Sequence, residues 1–318
     1  MEQEKSQPYR PLVLTSIADV RKWRLSCTLA NKTVGLVPTM GALHQGHLSL
    51  IKQSLKNNGA TIISIFVNPS QFAPNEDLDA YPRTVEDDIS LVSQLSDTHA
   101  GLETKVDVVF LPNVKEMYPS GIPLDVSQQS GAFVSVLGLS EMLEGKTRPN
   151  FFRGVATVVS KFFIIVTPTR AYFGQKDYQQ SLVIRRMVKD LLFDIEIVVC
   201  DIYRDDSGLA LSSRNKYLDG PTVEMSTNIY RMLKHGKDLY EQQNITSVAE
   251  LQKQMMAVIQ PFVDDGAMKV DYISINDKDT LEELTEIDTN KGGCITCAIY
   301  VTNSSDDNVT RLIDNILL

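Results

Sequence analysis

Two of the chain's four histidines stand three residues apart in Pro38-Thr39-Met40-Gly41-Ala42-Leu43-His44-Gln45-Gly46-His47, where an apolar strand-like run ends and a helix beginning near Leu48 is expected. The start of a helix offers unpaired backbone N–H groups and the positive end of its dipole, a setting suited to phosphate. Two imidazoles add to it, Gly41 permits the turn, and Gly46 allows close backbone approach. Phosphate nearby favours protonated imidazole, supplying charge as negative charge builds in a reaction. The alternatives are a structural pair or a zinc pair. Zinc draws three or four protein ligands, with carboxylate or thiolate partners, yet no Asp, Glu or Cys lies between Thr39 and Lys56. Phosphate is therefore the expected partner, and no metal ligand is assigned.

Other segments carry polar groups where strands should end. Residues 68–84 (NPSQFAPNEDLDAYPRT) form a long polar connection in which Asn68 and Gln71 can donate and accept hydrogen bonds. In Tyr172-Phe173-Gly174-Gln175-Lys176-Asp177, Lys176 would be a mobile point charge over phosphates. Asp177 would either cap the next helix or orient a ribose or Mg²⁺. Gly208-Leu209-Ala210-Leu211-Ser212-Ser213-Arg214-Asn215 sets two hydroxyls beside a guanidinium, a combination suited to a swinging phosphate clamp. Glu144-Gly145-Lys146-Thr147 imitates the end of a P-loop, but the required earlier glycine is Ser140 and no strand is evident before it. No G-x-G-x-x-G is present. Cys294-Ile295-Thr296-Cys297 has strand-like flanks and no second pair, so strand packing is expected.

The elements that must position these groups are legible as alternating patterns. Continuous apolar runs at 33–38, 61–68, 106–111 and 195–201 suit strands buried on both faces. Between them, Val155, Val158, Val159, Phe162, Phe163 and Val166, and then Ile184, Met187, Val188, Leu191 and Leu192, repeat at helical spacing. The expected fold is α/β, a Rossmann-like doubly wound parallel sheet whose ligands bind outside the carboxyl ends of the strands. The texture changes after about residue 202. One helix face carries Met225, Ile229, Met232, Leu233 and Gly236; a second helix is expected from a Thr246 cap to a stop at Pro261, followed by strands at 270–275 and 294–301. This predicts a smaller α+β domain over 203–318, carrying the Ser-Ser-Arg-Asn segment, after a first domain over 1–202.

Composition excludes several classes. The 318 residues hold 31 Lys+Arg against 40 Asp+Glu, a net charge of −9, and an acidic chain has no bulk attraction for nucleic acid. The longest strongly apolar run, 162–166, falls far short of the about 20 residues that cross a bilayer. The polar N-terminus has no apolar core of a signal peptide, so a cytoplasmic location with no membrane partner is expected. Four cysteines in so long a chain make no disulfide framework, and free thiols are expected.

Taken together, the chain resembles the pantoate–β-alanine ligases of the HIGH-motif nucleotidyltransferase superfamily. The resemblance covers almost the whole chain: VPTMGALHQGH at 37–47, SIFVNPSQF at 64–72, DLDAYPRT at 77–84, EGKTRPNFFRGVATVV at 144–159, FGQKDYQQ at 173–180, GLALSSRN at 208–215 and RLIDN at 311–315. It implies an ATP loop of Met40, Gly41, Ala42, Leu43, His44, Gln45, Gly46 and His47, with both histidines on the phosphates and His47 as general acid. It implies ATP contacts from Gly174, Gln175, Lys176 and Asp177, from Tyr203, and from Leu211, Ser212, Ser213 and Arg214. Of these, His44, His47, Lys176, Ser212, Ser213 and Arg214 would carry catalysis. Gln71 and Gln180 would hold pantoate, and Gln71 also β-alanine. The implied enzyme adenylates the pantoate carboxylate, releases pyrophosphate, and passes the acyl group to the β-alanine amine. ATP is then a substrate with Mg²⁺, no prosthetic group is bound, and the protein is a homodimer.

The chain departs from the bacterial pattern at Gln175, commonly Glu, at Leu211, commonly Met, and in a wider segment at 98–105, read as a surface insertion. Two competing functions remain. A nucleotidyltransferase with a phosphate-bearing acceptor would want Arg or Lys where Gln71 and Gln180 stand. A nucleotide-binding regulator that had lost catalysis would not be expected to keep His44, His47, Lys176, Ser212, Ser213 and Arg214 intact.

Overall fold

A computed structural model describes residues 9–74, 76 and 78–318. The polar residues 1–8, Asn75 in the 68–84 connection and Asp77 at the head of the 77–84 motif lie outside the described residues. The chain forms two compact units, one running to Gly174 and adding Val183–Cys200, the other comprising Gln175–Leu182 and Asp201–Leu318.

The first unit is built on a six-stranded parallel sheet of β1 (Leu12–Leu14), β2 (Val34–Thr39), β3 (Ala60–Ile65), β6 (Val108–Phe110), β7 (Arg170–Gly174) and β8 (Glu196–Cys200). A separate antiparallel hairpin, β4 (Ser96–His99) with β5 (Leu102–Lys105), interrupts this run. Successive strand residues point to opposite faces, and both faces here are apolar. Leu36, Ile62, Val108, Phe110, Ala171 and Phe173 enter a core with α1 (Ile17–Leu29), α6 (Phe151–Val166) and the end of α7 (Tyr178–Asp190). Their neighbours Val37, Ile63, Val109 and Tyr172 enter a second core with α2 (Gln45–Asn57) and α3 (Val85–Ser93). Helices on both faces of a parallel sheet make it doubly wound, as its unbroken apolar runs predict.

Sheet order decides where a ligand can sit. The order is β1-β6-β3-β2-β7-β8, so the chain builds from β2 outward through β3 and β6, then returns to the other side of β2 with β7. The reversal falls between β2 and β7, where the connections after adjacent parallel strands run to opposite sides and leave a crevice. The histidine segment leaves the sheet from β2, and the Gln175-Lys176-Asp177 segment leaves it from β7.

The second unit packs α8 (Gly220–Gln243) and α9 (Val248–Asp264) on an antiparallel sheet of β9 (Met268–Asn276), β10 (Cys294–Thr302) and β11 (Val309–Leu317), ordered β11-β10-β9. Met232, Leu233, Leu251, Met255, Ile259, Ile295 and Ile299 fill the core between them.

Several boundaries differ from the sequence reading. β3 stops at Ile65 instead of reaching Asn68, because Asn68 caps a 3-10 turn over Pro69–Gln71. α2 begins at Gln45, three residues before Leu48, since His44 supplies the cap. α9 is capped at Ser247, and Thr246 instead bonds Glu286. The helix also runs through Pro261 to Asp264; the ring forfeits the bond its N–H would have made to Ala257 O, but Phe262 and Val263 pack on the core and the Pro261 carbonyl still accepts from Asp265 N at 3.3 Å. The 98–105 insertion belongs to the β4–β5 hairpin, tied to the end of α2 by His99 Nδ1 donating to Lys56 O at 2.9 Å and Thr104 Oγ1 to Leu55 O at 2.9 Å. Glu144–Thr147 is the short helix α5, which follows α4 (Val114–Met117) in the numbering and a 3-10 turn over Leu139–Glu141 in the chain, with no strand leading into it. Cys294 and Cys297 lie buried on β10, and all four cysteines are free.

One close approach sets the start of α6 against the 69–71 turn. A Cβ on Gly154 would stand 2.2 Å from the Ser70 carbonyl oxygen and 2.7 Å from Gln71 N, backbone atoms that have no rotamer to escape into. Gly154→Ala is expected to destabilise the fold by about 1–3 kcal/mol. The urea midpoint checks this, and an unchanged midpoint would show that the turn yields freely.

Candidate active site

At the end of β2, Thr39 Oγ1 donates to Ser64 O at 2.7 Å and accepts from Gly41 N at 3.2 Å, turning the chain away from the sheet. The turn passes through the left-handed region at two consecutive residues, Gly41 at φ 86° and Ala42 at φ 51°. Glycine adopts that conformation freely, whereas for alanine it costs about 1–2 kcal/mol. What holds it is Asp88 of α3, 1% exposed, whose two carboxylate oxygens accept from Ala42 N at 3.0 Å and Leu43 N at 2.8 Å. Charge-assisted bonds of this kind are about twice as strong as neutral ones. Thr84 Oγ1 donates to the same carboxylate at 3.2 Å.

The turn delivers His44 to the N-cap of α2 in extended conformation. His44 Nδ1 accepts from Gly46 N at 3.2 Å, and His47 Nδ1 accepts from His44 N at 3.4 Å, a reciprocal capping box made of two imidazoles. Their ring centroids are 4.1 Å apart. Because each Nδ1 accepts, the neutral rings carry their protons on Nε2, which makes each Nε2 a donor. The pair therefore closes the helix start and prepares two N–H donors beside its dipole.

Gln71 is brought to the same loop. Its Nε2 stands 3.1 Å from Met40 Sδ, while its Oε1 accepts from Asn68 Nδ2 at 3.0 Å. Asn68, 1% exposed, is itself fixed: its Oδ1 accepts from Tyr118 Oη at 2.7 Å and Ser70 Oγ at 3.0 Å, and Nδ2 also donates to Gly154 O at 3.3 Å. The chain of bonds sets which end of the Gln71 amide is N–H₂. Burial pushes the Tyr118 hydroxyl up to about 12, so it stays a protonated donor. Beside Gln71 lies a cavity of about 270 Å³ walled by Ser70, Phe72, Leu124, Asn150 and Phe151. Arg148 spans its edge, pairing both oxygens of Glu76 at 2.8 and 2.7 Å, donating to Gln71 O at 3.3 Å, and lying 3.9 Å over the Phe151 ring.

In the second unit Gln175, Lys176 and Asp177 form a 3-10 turn directly before α7, with Lys176 Nζ 3.7 Å from Asp177 Oδ1. Gln180, half-buried, lies in the first turn of α7. Asn315 of β11 donates from Nδ2 to Gln175 O at 2.9 Å and Lys176 O at 3.0 Å, and accepts from Gln175 Nε2 at 3.2 Å. Tyr203, 44% exposed, accepts through its carbonyl from Leu211 N at 3.0 Å. Ser212 then caps the 3-10 turn Ser213–Tyr217, accepting from Arg214 N at 3.3 Å.

The structure thus brings Met40 to His47 together with Gln71 in one unit. In the other, Lys176 and Asp177 share a 3-10 turn with Gln180 following in the first turn of α7, and Tyr203 pairs with Leu211 just ahead of Ser212, Ser213 and Arg214. Gly174 ends β7. Sequence reasoning did not find Asp88, Tyr118, Arg148 or Asn315. Asp88 reads there as one more acid in the first turn of a helix, and only Thr84 four residues earlier hints at its partner. Cys294, buried with its thiol pushed up by desolvation, is no thiolate nucleophile.

A family model described as pantoate-beta-alanine ligase matches residues 12–317. The chain belongs to the pantoate–β-alanine ligase family. It is 49% identical over 316 residues to the pantoate–β-alanine ligase of Saccharomyces cerevisiae, covering 96% of this chain and 99% of that one. Pantothenate synthetase from Thermus thermophilus superposes with a TM-score of 0.80 at 37% identity, over 96% of this chain and 98% of that one. The pantoate–β-alanine ligase from Francisella tularensis, complexed with beta-gamma ATP and beta-alanine, superposes with a TM-score of 0.72 at 33% identity, over 96% and 97% of the two chains. As a pantoate–β-alanine ligase family member, this chain is an enzyme of the ligase class.

Two consequences follow for the site's scaffold. Asp88→Ala strands two buried amides, at about 1–3 kcal/mol each, so a clearly lower urea midpoint is expected; a wild-type midpoint would mean that the turn holds itself. Tyr118 ionises near 10 when unfolded and about 12 when folded, so the unfolded chain loses its proton first. Its contribution is whole below pH 10 and lost as pH rises toward about 12. Tyr118→Phe should flatten the fall in stability over that window, and an unaltered slope would contradict the assignment.

Proposed function

We propose that the chain condenses pantoate with β-alanine to pantothenate, using ATP to activate the pantoate carboxylate. The observation that carries this reading is the contact between Gln71 and Met40: it supports an amide suited to a carboxylate or hydroxyl standing beside the loop whose histidines have donors suited to phosphate. Gln71 is oriented by Asn68 to present N–H groups, the donors a carboxylate or hydroxyl oxygen requires. The Francisella relative's complex with beta-gamma ATP and beta-alanine supports ATP and the amino acid as substrates.

The chemistry needs no covalent enzyme intermediate. A pantoate carboxylate oxygen attacks the α-phosphorus, the P–O bond to pyrophosphate breaks, and an acyl adenylate forms. The uncharged β-alanine amine then attacks the acyl carbon; the C–N bond forms, AMP leaves, and the amine's proton goes to solvent. The residues work by orientation and by charge stabilisation where phosphate charge grows. His44 and His47 supply Nε2 donors, and Met40, Gly41, Ala42, Leu43, Gln45 and Gly46 give the backbone that cradles ATP. Gly174, Gln175, Lys176 and Asp177 contribute the second cradle, with the Lys176 ammonium on the phosphates. Tyr203 receives the adenine, and Leu211, Ser212, Ser213 and Arg214 hold the leaving pyrophosphate. Gln71 and Gln180 hold pantoate, and Gln71 then receives β-alanine. Mg²⁺ would arrive on the nucleotide, bound mainly by phosphate oxygens and water with one or two carboxylates.

A cytoplasmic homodimer completes the proposal. Four unbridged cysteines suit a reducing compartment, and among the described residues no helix is long and apolar enough to cross a membrane. Exposed Leu25 and Leu29 of α1, Ile164 of α6, and Leu191 and Leu192 after α7 offer apolar surface to a second copy.

The test is formation of AMP and pyrophosphate from ATP, Mg²⁺ and pantoate, with and without β-alanine. Turnover producing a compound of pantothenate mass is expected only with all three substrates. His47→Ala should cut the rate by about 10²–10³-fold while removing one capping bond worth about 1 kcal/mol. ATP binding without pantoate-dependent pyrophosphate, or near-normal turnover in His47→Ala, would overturn the reading.

A further inference from the structure

The RLIDN segment at 311–315 is part of the sequence pattern, yet none of its residues has been given a task. Asn315 is 2% exposed and commits its whole carboxamide to the turn before α7. A single N–H₂ captures the carbonyls of Gln175 and Lys176, so both peptide planes must face β11. In a trans peptide the C=O of one residue and the N–H of the next point in opposite directions. Fixing those two carbonyls therefore aims the N–H groups of Lys176 and Asp177 away from β11, as a consecutive pair at the start of α7. Two successive N–H groups turned the same way form a concavity for anions.

The donor's own orientation is fixed as well. Gln175 Nε2 donates to Asn315 Oδ1, which forces the amide's N–H₂ end onto the carbonyls. The backbone of Asn315 is clamped by an ion pair next to it. Arg204 pairs both oxygens of Asp314 at 2.6 and 2.8 Å and donates to Asn315 O at 3.3 Å, while Asp314 Oδ1 accepts from Asn315 N at 2.7 Å. Asp314 is 4% exposed and the Arg204 guanidinium lies 4.0 Å over the Tyr230 ring, so the clamp has little freedom. Arg204 also bridges to Ala210 at the base of the hairpin that leads into Ser212-Ser213-Arg214. One brace thus underlies both segments to which phosphate has been assigned in this unit.

We propose that Asn315 is a positioning residue that aims the Lys176–Asp177 backbone and the Lys176 ammonium at the nucleotide's phosphates. The inference rests on the phosphate role given to Lys176, and the experiment separates the two. Asn315→Leu keeps the volume and removes both donors. Gln175→Met leaves β11 untouched and releases the Asn315 amide to flip, while the backbone through which Gln175 joins the cradle stays in place and its side chain, spent on Asn315 Oδ1, is not offered to the nucleotide. Lys176→Ala and the double variant Asn315→Leu/Lys176→Ala complete the set. In each, pantoate-dependent pyrophosphate release gives KM for ATP and for pantoate, and thermal melting reports folding.

Asn315→Leu is expected to raise the ATP KM about 10-fold or more, as misplacing a binding group by about 1 Å can do, with the pantoate KM essentially unchanged. Gln175→Met should give a smaller rise in the same parameter. In the Lys176→Ala background the Asn315 change should add clearly less than it does in the wild-type chain, because only the backbone N–H pair is left to misplace and groups that act as one unit are not additive. Should Lys176→Ala leave the ATP KM unchanged, the phosphate assignment falls and the proposal with it. With Lys176→Ala impaired, the proposal alone is overturned by a wild-type ATP KM in Asn315→Leu, by equal rises for ATP and pantoate, or by fully additive losses. If Asn315→Leu melts too low to assay, Gln175→Met decides, a wild-type ATP KM there overturning the proposal.

Discussion

A backbone that leaves a buried strand and must at once turn left-handed needs a partner for every amide it exposes on the way. Here that partner is one carboxylate. Asp88 satisfies the amides of Ala42 and Leu43 inside the fold and so holds an alanine at φ 51°, a conformation that few side chains tolerate. Everything downstream depends on it. If Ala42 relaxed, His44 would leave the N-cap of α2, the reciprocal imidazole bonds would break, and Met40 would drift from Gln71. The turn is thus held by a buried carboxyl group placed on a neighbouring helix.

The same device recurs wherever a polar side chain is given a direction. Both histidines use Nδ1 as acceptors, which determines where their protons lie, and Gln71 uses Oε1, which determines which face of its amide is donor. In the second unit Asn315 plays the corresponding part for the Gln175–Asp177 turn, itself clamped by Arg204 and Asp314. Each of these groups is preset by bonds made away from where a substrate would lie. A reaction without a covalent intermediate depends on such presetting, because orientation and fixed charge are the only levers the protein holds.

Much of this was legible in the chain, for reasons that differ by element. The doubly wound sheet follows from apolar runs such as Thr61 to Asn68, in which Ile62 and Phe66 enter one core and Ile63 and Ile65 the other. The histidine turn announces itself because His, Gly and helix start coincide there. β11 does not: Arg311, Asp314 and Asn315 break its apolar alternation, since the strand uses buried polar groups to hold other loops. α9 outruns Pro261 because Phe262 and Val263 pack on the core beyond it, tertiary contact outweighing a lost backbone bond, and β3 stops early because the Asn68 side chain captures the backbone. The tasks of Asp88, Tyr118 and Asn315 were not readable, even with Thr84 beside Asp88 and Asn315 inside the RLIDN motif, as each acts on residues 45 to 140 positions away, contacts only the folded chain creates. Motif resemblance supplied what periodicity could not, the tasks proposed for Tyr203 and Gln180.

The 39–47 turn, held by Asp88 and by the paired imidazoles, is proposed to receive the nucleotide without rebuilding, both histidines meeting its phosphates. A crystal structure of the protein with a non-hydrolysable ATP analogue, Mg²⁺ and pantoate tests this directly. Phosphate oxygens are expected within about 3.2 Å of Nε2 of both His44 and His47, with the backbone from Thr39 to His47 moved by less than about 1 Å. Phosphates bound away from both rings, or a turn released from Asp88 and rebuilt around the ligand, would contradict the account.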